Sequence, residues 1–335
     1  MTEVADQDQP HRHEDETMWT RLTHALPHRH EHSSPAVTDF GLEGIRATKF
    51  SLAGLGITAL LQAAIVVVSG SVALLSDTIH NLGDALTAIP LWIAFALGRR
   101  SPTRTYTYGL SRAEDLAGLL IVVAIGASAL LVGWESVQRL IDPRLIDQIP
   151  WVITAGVVGA TGNEMVARYR IRVGRRIGSE ALIADGRHAR SDAWTSLAVV
   201  AAGIGAAFGL PWVDPAAGLV VAVVIAGLLI PSARAIGRRL LDGVDPDLVA
   251  SAESVIRTVD GVRDLTELRL RFQGHRLHLT TCIQVDPGVS LAAGHETAHR
   301  VEHELHHTLA VPMTATVHVE PHGVDDAHIS VDHHR

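Results

Sequence analysis

The chain contains little cysteine, few aromatic residues and little charge. Its single cysteine, Cys282, excludes an internal disulfide and agrees with a reducing compartment for the C-terminal part. Aromatic residues make up 4% of the sequence and charged residues 19%, whereas hydrophobic residues reach 47% and the mean hydropathy is +0.22. This composition is more apolar than that of an average soluble protein. The net charge of −8 gives no reason to expect a nucleic-acid partner.

Both ends of the sequence are polar and rich in histidine. Residues 1–47 include the clusters HRHEDE and HRHEHSS and too few large apolar residues to bury a core, which predicts a disordered cytosolic tail. No cleavable signal peptide is visible in this segment. Residues 322–335 return to His and Asp without apolar content, and we expect a second disordered tail there.

Between the tails, apolar residues cluster into runs that are long enough, or nearly so, to cross a bilayer as a helix, which takes about 20 residues. Arginine is concentrated after the second, fourth and sixth runs, so the positive-inside rule places both termini in the cytoplasm. The sequence therefore predicts a membrane α-helical protein with six transmembrane helices over residues 48–239, in a plasma membrane or a cell inner membrane. The runs are residues 50–69, 72–97, 115–141, 150–167, 180–209 and 213–233.

Residues 240–321 change to amphipathic patterns. DPDLVASAESVIRTV and SLAAGHETAHRVEHELHHTL have helical periodicity, whereas DLTELRLRF, HRLHLTTCIQV and MTATVHVEP alternate as strands do. The first two strands are joined at Gln273-Gly274, a hairpin signal. These elements predict a small cytosolic α+β domain at the C-terminal end of the membrane domain.

Two of the apolar runs share the pattern Asp-x-x-His-x-x-x-Asp. Each aspartate at the centre of a spanning helix costs about 2.5–3.5 kcal/mol, so four of them cost on the order of 10 kcal/mol, which equals the stability of a whole domain. At these offsets the three polar side chains of each run lie on one helical face. The residues are Asp77, His80 and Asp84 in the second run and Asp185, His188 and Asp192 in the fifth.

The depth of these residues can be estimated from the helical rise of 1.5 Å per residue. With cytoplasmic termini the second and fifth spans are antiparallel, so His80 is level with Asp192 and Asp84 is level with His188. Two imidazoles and two carboxylates near the middle of the membrane suit a tetrahedral Zn²⁺ site. Each helix is thus predicted to supply half of one metal site.

The remaining aspartates, Asp77 and Asp185, fall nearer the outer and inner mouths. We interpret them as carboxylates that support the ligands or relay protons. Two alternatives stay open for the whole motif: hydrogen-bonded polar residues of an ordinary helix bundle, or the lining of a proton channel.

Four stretches resemble the cation diffusion facilitator family of metal transporters. The resemblance covers residues 48–320 and implies six spans, a cytosolic ferredoxin-like domain, and a homodimer that exports Zn²⁺ in exchange for H⁺ by alternating access. By position it implies a transport site of His80, Asp84, His188 and Asp192, similar to zinc-preferring members, with Cd²⁺ and Co²⁺ left open as substrates. The stretches are SVALLSDTIHNLGDAL, RSPTRTYTYGLSRAEDLAGLL, VGRRIGSEALIADGRHARSDAWTSLAVV and DPAAGLVVAVVIAGLLI.

The same resemblance implies metal ligands in the cytosolic domain near Cys282, His295, His318 and Glu320. Cys282 on a strand is a candidate thiolate ligand, and His318 and Glu320 alternate onto one strand face.

One further motif, His295-Glu296-x-x-His299, matches the pattern of zinc proteases, in which two histidines bind the metal and the glutamate is the general base. It raises the alternative of a membrane-associated zinc metalloprotease. Additional histidines at 303, 306 and 307 in the same helix favour a chance match on a solvated or weakly zinc-sensing face. A protease would also leave the repeated intramembrane motif unexplained, so we expect a secondary active transporter and not an enzyme.

Overall fold

The computed structural model describes residues 35–69, 88–142, 148–309 and 311–323, with side chains from residue 40 onward. In chain order its elements are α1 Pro35–Ser69, α2 Ala88–Gly98, α3 Ala113–Ile141, α4 Ile149–Ile177, α5 Glu180–Ala207, α6 Val213–Leu240, α7 Pro246–Thr258, β1 Asp264–Gln273, β2 Arg276–Val285, α8 Leu291–Thr308 and β3 Met313–Pro321. The helical part α1–α6 precedes a small domain with a mixed sheet, which confirms the predicted fold class.

Within the described residues, three helices are long and apolar enough to cross a membrane by length and composition: α1 from Phe40, α3 and α6. The helix α2 is an apolar segment of 11 residues, and the earlier part of the second predicted run lies outside the described residues. The helices α4 and α5 match α3 in length but carry more charged side chains along their course. Several of these charges pair between the two helices.

The ends of two helices differ from the prediction. The helix α1 begins at Pro35, inside the segment predicted to be a disordered tail, while residues 1–34 lie outside the described residues. The helix α4 continues to Ile177, well past residue 167, so the arginines assigned to a cytosolic connection belong to the helix itself. The prediction was wrong there because the apolar run stops at the first arginine, whereas the helix does not.

The connection between α4 and α5 is consequently very short. Gly178 ends α4 in the left-handed conformation at φ +70°, which glycine adopts without a steric penalty. Ser179 then caps α5 by accepting a hydrogen bond of 3.1 Å from the Leu182 backbone nitrogen. Two residues therefore suffice to reverse the chain, and the helices α4 and α5 form an antiparallel hairpin.

Small residues let these two helices approach closely. A Cβ atom on Gly186 of α5 would lie 3.0 Å from the backbone nitrogen of Ile171 and 3.1 Å from the carbonyl oxygen of Ala167 on α4. Close approach through small residues is the usual basis of helix packing in membranes, where lipid is as apolar as leucine. The motif-bearing helix α5 is held against α4 along this contact.

The cytosolic domain contains a three-stranded sheet in the order β1-β2-β3. Strands β1 and β2 are antiparallel, and β2 and β3 are parallel because α8 crosses between them. The helices α7 and α8 bury one face of the sheet through Ile256, Leu279, Ile283, Val301 and Leu305, each at most 1% exposed. The predicted ferredoxin-like α+β arrangement is confirmed.

The turn between β1 and β2 contacts the N-terminus of α3. The backbone nitrogen of Gly274 donates to Asp115 Oδ2 at 3.0 Å, and His275 Nδ1 lies 2.8 Å from Glu114 Oε2. From the end of α6, Arg239 donates to the carbonyl oxygens of Gly274 and Gly178. The side chains in these contacts are buried, so the cytosolic domain is fixed to the membrane domain through polar contacts shielded from solvent.

Candidate metal sites

The first candidate site lies on α5, where His188 and Asp192 are one helical turn apart. His188 is 1% exposed, the Asp192 side chain is 12% exposed, and His188 Nδ1 lies 3.9 Å from Asp192 Oδ1. Ser191, between them, donates to the carbonyl oxygen of His188 at 2.6 Å. The pair thus places one nitrogen and one oxygen 3.9 Å apart on one side of α5, and both are atom types that bind Zn²⁺.

The other half of the predicted site is in a part of the chain that the structure does not describe. Asp77, His80 and Asp84 all lie between residues 70 and 87. Their convergence on His188 and Asp192 therefore stays a prediction.

Asp185, one turn before His188, has a partner that the sequence analysis missed. Its Oδ2 lies 3.0 Å from Nη1 of Arg170 on α4, and the two side chains are 0% and 1% exposed. An opposite charge at this distance is what permits a carboxylate to remain in an apolar interior. Since Arg170 was assigned to a cytosolic connection, this pair could have been recognised only by extending α4 past its apolar run.

A second ion pair joins the same helices. Glu164 of α4 accepts from Arg190 Nε and Nη2 of α5, both at 3.1 Å, and from Arg168 Nε at 2.7 Å. Glu164 lies inside the fourth apolar run, residues 150–167. Two ion pairs, Arg170–Asp185 and Arg190–Glu164, therefore join α4 to α5.

The second candidate site is in the cytosolic domain. Cys282, His318 and Glu320 offer ligand atoms that all lie within 4.8 Å of one another. The sheet register explains this, since Cys282 of β2 is directly opposite His318 of β3, and Glu320 is two residues further on the same strand face. Thiolate, imidazole and carboxylate are all ligands of Zn²⁺.

The protonation state of the thiol affects this second site. Burial, together with the nearby Glu320 carboxylate, raises the pKa of Cys282 to about 11, although a hydrogen bond with Thr266 acts in the opposite direction. The free thiol is therefore protonated at neutral pH. A metal ion must displace that proton, which makes binding weaker as the pH falls.

His295, the fourth residue predicted for this site, is not in the cluster of three. It lies on α8, where its Nε2 is 3.1 Å from Nε2 of His299. The two imidazoles are four residues apart and so lie on the same side of the helix; the assignment of His295 to the cytosolic metal site stays a prediction.

The protease-like motif is on the solvent side of α8. His295, Glu296 and His299 are all exposed, as are His303, His306 and His307 of the same helix. The surface position favours the interpretation of these residues as part of a histidine-rich helix face.

The architecture and the polar residues inside it define the class of the protein. A helical transmembrane domain with a buried His–Asp pair precedes a cytoplasmic domain with a potential metal cluster, as in an integral membrane protein that handles metal ions. Residues 48–241 match the cation efflux transmembrane domain, and residues 244–322 match the cation efflux protein cytoplasmic domain. The chain belongs to the cation diffusion facilitator family, as the resemblance implied.

Individual relatives agree with this assignment. A probable cation efflux system protein of Mycobacterium tuberculosis (strain H37Rv) is 52% identical over 296 residues, covering 87% of this chain and 89% of the relative. A manganese efflux system protein of Bacillus subtilis is 26% identical over 254 residues, 75% and 86% of the two chains. A cadmium, cobalt and zinc/H(+)-K(+) antiporter of the same organism is 25% identical over 264 residues, 77% and 84%.

Proposed function

We propose that this protein exports divalent metal cations from the cytoplasm, with Zn²⁺ preferred, in exchange for protons. The observation that carries the proposal is the pair of a buried His188 and a partly buried Asp192 on a helix of the cation efflux transmembrane domain. A relative is named as an antiporter of cadmium, cobalt and zinc, and another as a manganese efflux protein. Imidazole ligands favour zinc, whereas manganese is better matched by carboxylates, carbonyls and water.

The proposed transport site combines His188 and Asp192 with His80 and Asp84 of the repeated motif. Two nitrogen and two oxygen ligands satisfy the tetrahedral preference of Zn²⁺. The same nitrogen and oxygen ligands also bind Cd²⁺ and Co²⁺, so the proposal includes these ions as secondary substrates.

Exchange with protons follows from the chemistry of these ligands. Histidine and aspartate bind a metal only when deprotonated, so metal and protons compete for one set of groups. Facing the cytoplasm, the site takes up metal; facing outward at a higher proton concentration, it releases metal and takes up protons, which return inward on the emptied site. Asp77 and Asp185 are proposed to support this cycle as relay or orienting carboxylates.

The cytosolic domain is proposed to join two copies of the chain and to bind zinc through Cys282, His318 and Glu320. The matched cytoplasmic domain supports a homodimer, and the three ligand atoms within 4.8 Å support the site. Both termini are proposed to face the cytoplasm, because the basic residues lie at that end of the helices.

The proposal is tested with purified protein in liposomes that carry a zinc-sensitive dye. Zinc is expected to move against its gradient when a pH gradient is imposed and to stop when the pH gradient is removed. Asp192→Asn and His188→Gln should each abolish this movement, because the first removes the carboxylate charge and the second removes the imidazole nitrogen. Thr195→Val, an isosteric change one turn along α5 from Ser191, is the matched control and should retain it. Zinc movement that persists in Asp192→Asn would refute the proposed site.

The same liposomes test the alternatives. Proton movement that needs no metal would favour a proton channel, and the protease hypothesis requires that Glu296→Gln abolish peptide cleavage. We expect Glu296→Gln to leave zinc transport unchanged, since Glu296 is exposed on α8.

His80→Asp is expected to shift the preference from Zn²⁺ towards Mn²⁺, because it replaces a nitrogen ligand with a harder oxygen ligand.

A further inference from the structure

The face of the sheet opposite the helices α7 and α8 carries basic and hydroxyl side chains that neither candidate metal site uses. Arg271 of β1, His278 of β2 and Thr314 of β3 lie next to one another across the three strands. Side chains alternate along a strand, so the next row on this face lies about 7 Å away. That row consists of Arg269, Thr280 and Thr316.

Both rows line a cleft of about 690 Å³. The lining also includes Tyr108, in the connection from α2 to α3, and Asp242, which follows α6. Arg271 lies over the ring of Tyr108, with its Cζ atom 5.1 Å from the ring centroid. The ring of His278 approaches the same tyrosine edge-on, with centroids 6.3 Å apart. One aromatic ring thus contacts both basic side chains of the first row.

Positive charge around this cleft is incompletely neutralised. Asp242, the carboxylate in the lining, is already paired with Arg112. Within the part of the chain that the structure describes, no carboxylate pairs with Arg271 or with Arg276, which lies two residues before His278 on the same strand. An anion in the cleft would therefore neutralise charge that the protein itself leaves uncompensated.

The available donors favour a tetrahedral oxyanion. Burial lowers the pKa of His278, so its imidazole is neutral at neutral pH and offers one N–H donor. The nearby guanidinium groups lower this pKa further, and they belong to Arg271, Arg276 and Arg112. Arg271 alone can satisfy both oxygens of a carboxylate, whereas a phosphate group has further oxygens for His278 and the Thr280 hydroxyl.

We propose that this cleft binds a phosphate group through Arg271, His278 and Thr280. An anionic lipid headgroup and a soluble phosphate compound both present such a group, with the same oxygen acceptors. The site is distinct from the metal cluster that contains Cys282, two residues beyond Thr280 on β2. It does not depend on the proposed transport function.

The test is arginine footprinting of the full-length protein in detergent. Phenylglyoxal modifies accessible guanidinium groups, and mass spectrometry measures the modification rate of each arginine. Inorganic phosphate at about twice its dissociation constant should slow the modification of Arg271 about threefold, by mass action. Arg257 of α7, which pairs with Glu253 and Asp264 outside the cleft, should change little. Sodium chloride at the same ionic strength should protect neither arginine.

Nanodiscs distinguish the two sources of phosphate. If a lipid headgroup occupies the cleft, Arg271 should be protected in phosphatidylglycerol nanodiscs without added phosphate, and less so in phosphatidylcholine nanodiscs. If the ligand is a soluble phosphate compound, protection should require added phosphate in both membranes.

Variants of two histidines complete the experiment. His278→Leu removes an N–H donor and should raise the phosphate concentration for half-protection of Arg271 about fivefold or more. His278→Gln retains an N–H donor and should raise it by a smaller factor. His322→Leu, at a histidine that contacts Gln284 outside the cleft, is the matched control and should leave it unchanged. The proposal is overturned if chloride reproduces the protection, if His278→Leu leaves it unchanged, or if neither phosphate nor phosphatidylglycerol protects Arg271.

Discussion

Replacing Arg170 by Met would leave Asp185 as an uncompensated charge in the interior of the helical domain. At the observed separation of 3.0 Å, the attraction between the two charges is about 5 kcal/mol with an effective dielectric constant of 20. The cost of removing both charges from water offsets much of this attraction. The substitution removes the attraction, but the cost of burying the Asp185 carboxylate remains. Arg170→Met should therefore lower the free energy of unfolding by about 3–5 kcal/mol.

The complementary variants complete a double-mutant cycle. Asp185→Asn alone should also destabilise the protein, because it leaves the arginine buried without a counter-charge. The double variant should recover most of the stability, since no unpaired charge remains. Unfolding of the purified protein in detergent, followed by tryptophan fluorescence, measures all three. If the double variant loses the sum of the two single effects, the reasoning is refuted.

The double variant also separates two roles for Asp185. If the folded double variant transports zinc with unchanged dependence on the pH gradient, Asp185 serves only the helix packing and the relay hypothesis fails. If it folds but no longer couples zinc to protons, the carboxylate takes part in proton transfer.

Further predictions concern the thiol and two tightly packed glycines. Because the pKa of Cys282 is about 11, the Co²⁺ affinity reported by the thiolate charge-transfer band should rise about tenfold per pH unit between pH 7 and 9; a band intensity independent of pH would contradict this. Gly186→Val should cost about 1–3 kcal/mol through overpacking and reduce zinc transport, whereas Gly227→Val, with open space around it, should do neither. Gly274 has a positive φ, and Gly274→Ala would place a Cβ atom 2.7 Å from the Ser111 carbonyl oxygen. We therefore expect faster hydrogen exchange at the start of α3. Unchanged exchange would count against the contact.

The cytosolic domain was predictable from the sequence almost to the residue. Strand β2 alternates between buried residues such as Leu277 and Leu279 and more exposed neighbours, and α8 buries Val301 and Leu305 at helical spacing. Because one face of each element is buried and the other is in water, the hydrophobic period reports the structure directly.

The sequence predicted the helix bounds of the membrane domain less accurately. The apolar run ends at residue 167, whereas α4 continues to Ile177 and carries Arg170, which pairs with Asp185 on α5. An ion pair between two neighbouring helices cannot be inferred from the hydropathy of either helix alone.

Arg239 makes the two halves of the protein mechanically dependent on each other. One guanidinium holds the carbonyl oxygen of Gly178, at the corner of the α4–α5 hairpin, and that of Gly274, at the tip of the β1–β2 hairpin. Tilting of the sheet must therefore either pull the hairpin corner with it or break charge-assisted hydrogen bonds. Since that corner begins the helix that carries His188, Arg239 connects the cytosolic sheet directly to the helix of the first candidate site.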